Sequence, residues 1–286
     1  MITFSLQSGS NGNSIYVEAG REDAPVRLLF DAGITGVQAM KRMESHNRCI
    51  REVDALLISH NHGDHVRYSG VYQRKFGIPI YVTQKTLNSI HSNLGRLSDV
   101  RHFESGDSIE FSDVVVHTFR TPHDAVDGVA FIVESADARL GIFTDLGHPY
   151  AELQEALQQV DAAYLESNYD PDMLRNGYYS LDLQARISGP GGHLSNREAA
   201  DMVHNCGSNR PAWIALSHLS QDNNTPRIAE DTHRTILGED YAVYHAPRYQ
   251  VSECWHVPTR HERTSHLQSS QEQTHTGDPL DTAQGA

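Results

Sequence analysis

Short apolar runs rich in β-branched residues recur along the chain and predict a series of β-strands. Each run is five to eight residues long, and most are flanked by Gly, Pro, Asp, Asn or Ser, which favour turns. The predicted strands are residues 2–7, 14–19, 26–31, 54–59, 79–83, 113–119, 128–135, 139–145, 161–167, 211–217 and 241–246.

Between these strands, apolar residues recur at three- and four-residue spacing, which is typical of helices with one buried face. The predicted helices are residues 35–46, 71–77, 83–95, 149–160, 195–206 and 226–238. Ser195 and Glu198 have the spacing of a capping box, which predicts the start of the fifth helix. The mixture of strands and helices favours an α/β fold in which helices cover mixed sheets.

The composition changes near Thr259, after which the chain offers almost no apolar residues to bury. No internal repeat indicates a solenoid or a propeller. The sequence therefore predicts one domain over residues 1–258 and a disordered C-terminal tail over residues 259–286.

Charge and cysteine content narrow the functional class of this chain of 286 residues. The net charge of −14 opposes the basic face with which nucleic-acid binders usually neutralise phosphates, so tight duplex binding is not expected. The three cysteines, Cys49, Cys206 and Cys254, are scattered and form neither a disulfide framework nor a metal-binding pair. With no export signal and no apolar run long enough to span a membrane, the sequence predicts a cytoplasmic protein.

A cluster of potential metal ligands follows the apolar run at residues 55–59. It contains His60, His62, Asp64 and His65, and it stands out in a chain with 18 histidines. In an extended segment His60 and His62 point to the same side, and Gly63 permits a tight turn after them. Imidazole and carboxylate ligands suit zinc, or iron and manganese less selectively. The alternative is a solvated turn or a polar cap on the next helix.

This H-x-H-x-D-H motif resembles that of the metallo-β-lactamase fold superfamily, whose members fold as an αββα sandwich of two mixed β-sheets flanked by helices. The resemblance covers residues 1 to about 255 and implies roles for four further residues. Asp31 in "LLFDAG" would support the metal-binding loops. His123 in "TPHDAV", Asp145 in "GIFTDLG" and His218 in "IALSHLS" would complete the ligands. Taken singly, each of the last three could instead be an ordinary loop residue, and His102, His117 and His148 are interpreted that way.

The resemblance implies a centre for two divalent metal ions, with zinc favoured and manganese the alternative. A carboxylate can bridge two ions, which would share one water and lower its pKa towards neutrality. Asp64 is assigned both to the ligands and to the catalytic residues. The first predicted ligand set is His60, His62, His123 and Asp145, and the second is Asp64, His65, His218 and the same Asp145.

Glu166 and His193 bear on the choice of substrate within this large superfamily. Glu166 ends a predicted strand, and His193 follows a Gly-Pro-Gly-Gly turn just before a helix. The pair is similar to the Glu and His that RNase Z-like enzymes use around the scissile phosphate. With "SGSNGNS" near the start and "LSHLSQDNN" near the end, the chain looks most like the YycJ/WalJ-type branch of nucleic-acid exonucleases. The alternative is a structural hydrogen bond and a helix cap.

The leading hypothesis is thus a dinuclear metal-dependent hydrolase, namely a phosphodiesterase or exonuclease that acts on single-stranded DNA ends through a metal-bridging hydroxide. The expected partners are nucleic-acid ends or a small phosphodiester substrate. No interaction with a membrane is expected. The first alternative is a hydrolase of thioesters, lactones or other small molecules. A second is a metal-binding protein with a regulatory or scaffolding role.

Overall fold

The computed structural model describes residues 1–136, 138–260 and 262. In this part of the chain the strands form two sheets of seven strands each. The first sheet contains β1 (Ile2–Gln7), β2 (Ser14–Arg21), β3 (Ala24–Phe30), β4 (Ala55–Leu57), β5 (Ile80–Thr83), β6 (Val100–Phe103) and β14 (Trp255–His256). The second contains β7 (Ser108–Phe111), β8 (Val114–Arg120), β9 (Val129–Ser135), β10 (Ala138–Phe143), β11 (Ala162–Glu166), β12 (Trp213–Ser217) and β13 (Ala242–His245).

Both sheets are mixed, as the sequence predicts. The strand orders are β14-β1-β2-β3-β4-β5-β6 and β13-β12-β11-β10-β9-β8-β7. In the first sheet β14, β1, β2 and β3 pair antiparallel, and β3 to β6 pair parallel. In the second sheet β7 to β10 pair antiparallel, and β10 to β13 pair parallel. The carboxyl ends of parallel strands lie side by side, which is where α/β folds place their sites.

Helices cover the outer faces of the sandwich. Thr35 and Ser195 each form a capping box at the start of a helix, and the box at Ser195 confirms the start predicted from Glu198. The helices are α1 (Gly36–Glu44), α2 (Gly63–Val66), α3 (Ser69–Phe76), α4 (Gln84–Leu94), α5 (Ala151–Gln159), α6 (Pro171–Asn176), α7 (Leu181–Ile187), α8 (Asn196–His204) and α9 (Pro226–Leu237).

The central strands are buried on both faces, and alternate residues belong to different cores. On β11, Tyr164 lies in the core between the two sheets, whereas Leu165 packs in the core under α5, α8 and α9. On β3, Phe30 faces the inter-sheet core and Leu29 faces the core under α1, α3 and α4. This arrangement is the predicted αββα sandwich.

Several short elements carry no clear sequence signal. The predicted strands and helices omit β6, β7, β14, α2, α6 and α7. In β6, Arg101 and His102 are exposed, so the strand has no apolar alternation to detect. The short helices contain too few turns for a helical period to show. Two of them nevertheless border the site, because α2 contains Asp64 and His65 and residues of α7 line the adjoining cavity.

Within the described residues, no helix combines the length and the apolar character needed to cross a bilayer. The predicted disordered tail lies outside the described residues from position 263 onward.

Candidate metal centre

The residues at the ends of several strands converge on one point between the sheets. Asp31 follows β3, His60 lies just beyond β4, Asp145 follows β10 and His218 follows β12. Asp31, Asp145 and His218 adopt left-handed backbone conformations, with φ of 64°, 55° and 53°. Such conformations are uncommon for residues other than glycine and are concentrated at functional sites. They turn each side chain back towards the centre.

The H-x-H-x-D-H motif at residues 60–65 packs closely against the loop that follows β3. A Cβ atom on Gly33 would lie 1.6 Å from the carbonyl oxygen of Asp64, so only glycine permits this approach. The backbone N–H of Asn13 donates to the same carbonyl oxygen at 2.7 Å. The side-chain amide of Asn13 also lies 2.9 Å from Nε2 of His65. Asn13 lies within the segment "SGSNGNS", but its sequence position alone does not identify it as part of the site.

The first group of potential ligands consists of His60, His62 and His123, whose ring nitrogens lie close enough to bind one ion. Nδ1 of His62 and Nε2 of His123 are 3.2 Å apart. Two nitrogen ligands bound to one zinc ion at ~2.0–2.1 Å in tetrahedral geometry are separated by about 3.4 Å. The observed spacing therefore fits a shared cation.

The second group consists of Asp64, His65 and His218. Oδ2 of Asp64 is 3.3 Å from Nε2 of His218 and 3.6 Å from Nε2 of His65. Asp145 lies between the two groups. One of its oxygens is 3.0 Å from Nε2 of His65, and the other is 3.6 Å from Nε2 of His123. Its carboxylate can therefore serve both groups, as a bridging ligand must.

A buried network behind the histidines orients their rings. Oδ2 of Asp31 lies 2.7 Å from Nδ1 of His65, so this ring nitrogen donates and Nε2 is left as an acceptor. Ser59 donates its hydroxyl to Asp31 and lies 2.9 Å from Nδ1 of His60. The carbonyl oxygen of Gly192, 2.8 Å from Nδ1 of His123, holds that ring in the same way. In each case Nε2 faces the centre, which is the pattern of a metal-binding histidine.

Nε2 of His60, a buried acceptor at the centre, lacks a hydrogen-bond partner among the described residues. Oδ2 of Asp145 is also buried and faces Nε2 of His65 at 3.0 Å. Leaving a buried polar atom unpaired costs ~1–3 kcal/mol, so such atoms need a further partner. A divalent cation satisfies a nitrogen and an oxygen acceptor together, and the donor set therefore fits a metal centre.

The carboxylates around the centre raise the pKa of two of its imidazoles. Burial opposes the charged form of His65, but the carboxylates of Asp145 and Asp31 raise its pKa well above the ordinary value. Burial also opposes charge on His218, yet Asp145 and the hydrogen bond to Asp64 raise its pKa to about 10. The same carboxylates would attract cations, because metal binding to these ring nitrogens displaces protons.

Glu166 and His193 meet at the edge of this centre. Nδ1 of His193 is 2.6 Å from Oε1 of Glu166, while the other oxygen accepts the backbone N–H groups of Leu146 and Leu194 at 3.0 and 3.1 Å. Burial disfavours the ionised carboxylate, but the interaction with His193 dominates and lowers the pKa of Glu166 to about 2. The His193 ring lies 5.2 Å from that of His218, centroid to centroid.

A cavity of about 330 Å³ opens onto the centre. Its walls include Asp64, His123, Asp145, His193 and His218 together with residues of α7. A larger cavity of about 710 Å³ lies elsewhere, around residues 102–107, and holds none of these groups.

Asp124 and Arg186 also line the cavity, although the sequence pattern does not single them out. Oδ2 of Asp124 accepts Nε of Arg186 at 2.7 Å, and Oδ1 is 3.5 Å from Nε2 of His123. Its position directly after His123 is the signal that could have identified Asp124. Nothing local marks Arg186, which reaches the site because α7 folds over it.

The three remaining candidate histidines lie apart from the two ligand groups. His102 lies 3.1 Å from the carbonyl oxygen of Val82, His117 pairs with Glu134, and His148 contacts the carbonyl oxygen of Pro190.

The two mixed sheets and the His/Asp centre at their strand ends define the metallo-β-lactamase fold class of metal-dependent hydrolases. A family model described as "Beta-lactamase superfamily domain" matches residues 26–218. The chain is 34% identical over 250 residues to exodeoxyribonuclease WalJ of Streptococcus pneumoniae, covering 84% of this chain and 91% of that protein. It is 31% identical over 236 residues to exodeoxyribonuclease YycJ of Bacillus anthracis, covering 82% and 88%. The chain belongs to the beta-lactamase superfamily and, within it, to the YycJ/WalJ branch.

Solved structures support the same fold at lower sequence identity. The metallo-beta-lactamase fold protein YhfI from Bacillus subtilis aligns with a TM-score of 0.68 at 14% identity, over 89% of this chain and 98% of that one. Zn²⁺-bound PqqB from Methylobacterium extorquens aligns with a TM-score of 0.64 at 17% identity, over 88% and 100%. At these identities the likeness concerns the fold alone.

Proposed function

We propose that this hydrolase is a dinuclear exodeoxyribonuclease that removes nucleotides from single-stranded DNA ends. The observation that carries the proposal is the 2.6 Å contact between His193 and Glu166 beside the two ligand groups. A metal centre alone serves many hydrolases, whereas an oriented imidazole next to it suits a phosphoryl group that gains charge during the reaction. The relatives named exodeoxyribonuclease support the same substrate class.

Each residue has a specific part in this proposal. His60, His62 and His123 would hold one cation, Asp64, His65 and His218 the other, and Asp145 would bridge them. Zinc is favoured and manganese is the alternative, because imidazole and carboxylate ligands without thiolate discriminate weakly. When bound, the cations supply positive charge that polarises the phosphodiester and acidifies water.

His193 would act on the substrate directly. Because Nδ1 donates to Glu166, Nε2 is the ring nitrogen that is free to serve the cavity. It can hydrogen-bond a non-bridging phosphate oxygen or donate a proton to the leaving oxygen. Glu166, held by two backbone N–H groups, keeps the ring in this orientation.

A substrate panel tests the proposal. Metal-free protein reconstituted with Zn²⁺ or Mn²⁺ is incubated with end-labelled linear single-stranded DNA, the matching duplex, circular single-stranded DNA, a chromogenic phosphodiester, a thioester and a lactone. We expect mononucleotides from the linear single strand and none from the circle. Cleavage of the circle would contradict the requirement for an end. Turnover of the thioester or lactone without phosphodiester hydrolysis would support the small-molecule alternative.

A further inference from the structure

Large apolar side chains are exposed around the mouth of the cavity. In the described part of the chain, Tyr178, Leu181 and Tyr249 have the most exposed large apolar side chains, at 79%, 81% and 64%. Leu183 is also exposed and lines the cavity itself. Solvent-exposed apolar side chains gathered at one place usually mark a surface that contacts a ligand. Tyr178 and Tyr249 are hereafter called the aromatic rim.

The rim residues are held in position while their rings remain exposed. Tyr178 packs edge-on against Tyr179, with ring centroids 5.1 Å apart and planes at 88°. The hydroxyl of Tyr179 donates to Asp222 at 2.7 Å, and that of Tyr249 donates to the neighbouring Gln221 at 2.8 Å. Tyr249 is thus bonded directly to the loop at 221–222, and Tyr178 packs on a tyrosine bonded to the same loop.

The aromatic rim adjoins the metal centre. Tyr179, which supports Tyr178, lines the cavity together with Asp64 and His193. Next to Tyr249, Arg248 lies within electrostatic range of Asp64 and donates to the carbonyl oxygen of Leu219. A polymer whose end lies at the metal centre can therefore leave the cavity past these rings.

The charges at the mouth argue against holding such a polymer by its phosphates alone. Among the described residues that line the cavity, Arg186 is the one Lys or Arg, and it is already paired with Asp124. Asp222 adds another carboxylate beside the rim, and the whole chain has a net charge of −14. A single strand offers a second means of binding, because its unpaired bases expose ring faces to aromatic side chains. In a duplex those faces are covered by the neighbouring stacked bases.

We propose that Tyr178 and Tyr249 form a stacking surface for unpaired bases of the strand whose terminal phosphodiester lies at the metal centre. This inference rests on the proposed function and extends it, since it gives the enzyme a physical reason to select single strands. Base–aromatic stacking tolerates any sequence, so the rim does not restrict which bases are bound.

The test compares a linear single-stranded oligonucleotide with one in which the residues near the end are abasic. In the wild-type protein we expect KM to rise on the order of tenfold for the abasic strand, because the stacking contribution is lost. The Tyr178→Ala/Tyr249→Ala variant should show the high KM with both strands, and Phe replacements should behave like wild type. The effect belongs in KM, because stacking is the same in the ground and transition states.

Two controls separate the rim from the chemistry. All variants should hydrolyse a chromogenic phosphodiester at the wild-type rate, since that substrate has no bases to stack. Tyr244→Ala, which removes a tyrosine packed on Trp255 outside the cavity lining, should leave KM for both strands unchanged. Fluorescence anisotropy with a labelled strand carrying a non-cleavable terminal linkage measures binding without turnover and should give the same tenfold ratio.

Each contrary outcome identifies what fails. Equal KM values for base-bearing and abasic strands in the wild type would overturn the stacking inference while leaving the nuclease proposal intact. A rim variant that sediments as a smaller species than wild type would show instead that the rim joins two copies of the chain. If no phosphodiester is hydrolysed, the proposed function fails, and equal anisotropy with both strands would overturn the rim inference separately.

Discussion

Nδ1 of His193 lies 2.6 Å from Oε1 of Glu166, and this buried carboxylate accepts two backbone N–H groups through its other oxygen. The arrangement engages Nδ1 of the His193 ring and leaves Nε2 for the cavity. It has the form of a positioned acid–base pair, in which the carboxylate sets the tautomer and the imidazole would transfer the proton.

We therefore expect His193→Ala to lower kcat on a phosphodiester by ~10²–10⁴-fold, because one positioned proton donor is removed. Glu166→Gln should give a smaller defect in the same parameter, and the double variant should fall short of the product of the two. Steady-state kinetics measure these values. Metal content and Tm of His193→Ala should match wild type, and unchanged kinetics would assign the pair a purely structural role.

Asp145 and His218 should differ in how many metal ions depend on them. We expect Asp145→Asn to lose both ions and His218→Asn to lose one, since the Asp145 carboxylate faces both ligand groups and His218 belongs to the second. Asparagine tolerates the left-handed backbone at each position, so the replacement adds little strain. Elemental analysis after metal-replete purification gives the counts. A single ion in the wild-type protein would contradict the dinuclear assignment.

Replacing Asp31 tests whether the buried hydrogen-bond network raises the metal affinity of the centre. Asp31→Asn removes the carboxylate oxygen that lies 2.7 Å from Nδ1 of His65, and we expect metal affinity to fall ~10–100-fold. Competition with a chromophoric chelator measures the affinity. Asp54→Asn makes the same change at an exposed residue that bonds the backbone of Arg27 and should leave affinity unaltered. Equal affinities in both variants would argue against this role.

His233 should make the fold sensitive to acid. Burial lowers the pKa of this helix residue to about 4, against about 6.5 in the unfolded chain. The unfolded state therefore takes up a proton first as the pH falls, and the native state loses ~2 kcal/mol between pH 7 and 5. His233→Leu should lose that much less over this range. Urea unfolding at the two pH values measures the difference, with the exposed His204→Gln as the control.

The C-terminal boundary can be tested by two truncations. Ending the chain after Pro258 should keep Tm and metal content, because residues 259–286 offer little apolar surface to offset the entropy of ordering. Ending it after Cys254 removes β14, whose Trp255 is buried and whose residues pair with β1, and Tm should fall by several degrees. A similar fall with the longer chain would show that the tail contributes to the fold.

The local sequence pattern was sufficient to predict the longer helices and strands of this protein. The helix at 195–206 could be predicted because apolar spacing and the Ser195–Glu198 box are properties of adjacent residues. The ligand types of His60, His62, Asp64 and His65 were likewise visible, because the four lie on one short segment. The resemblance then supplied the distant partners. By contrast, β6 and α7 were missed, because short exposed elements have no burial period.

By itself the sequence determined mixed sheets covered by helices, the chemistry of the main ligand candidates and the acidic net charge, since all of these depend on composition and short-range order, while the αββα layers came from the family resemblance. Only the tertiary structure decided which residues meet. It placed Asp31 beside His65 and paired Arg186 with Asp124. It also brought Tyr179, the neighbour of Tyr178, and Tyr249 to the adjacent residues Asp222 and Gln221. These contacts depend on strand order and on how helices pack across the sandwich, and such long-range geometry leaves no periodic signal along the chain.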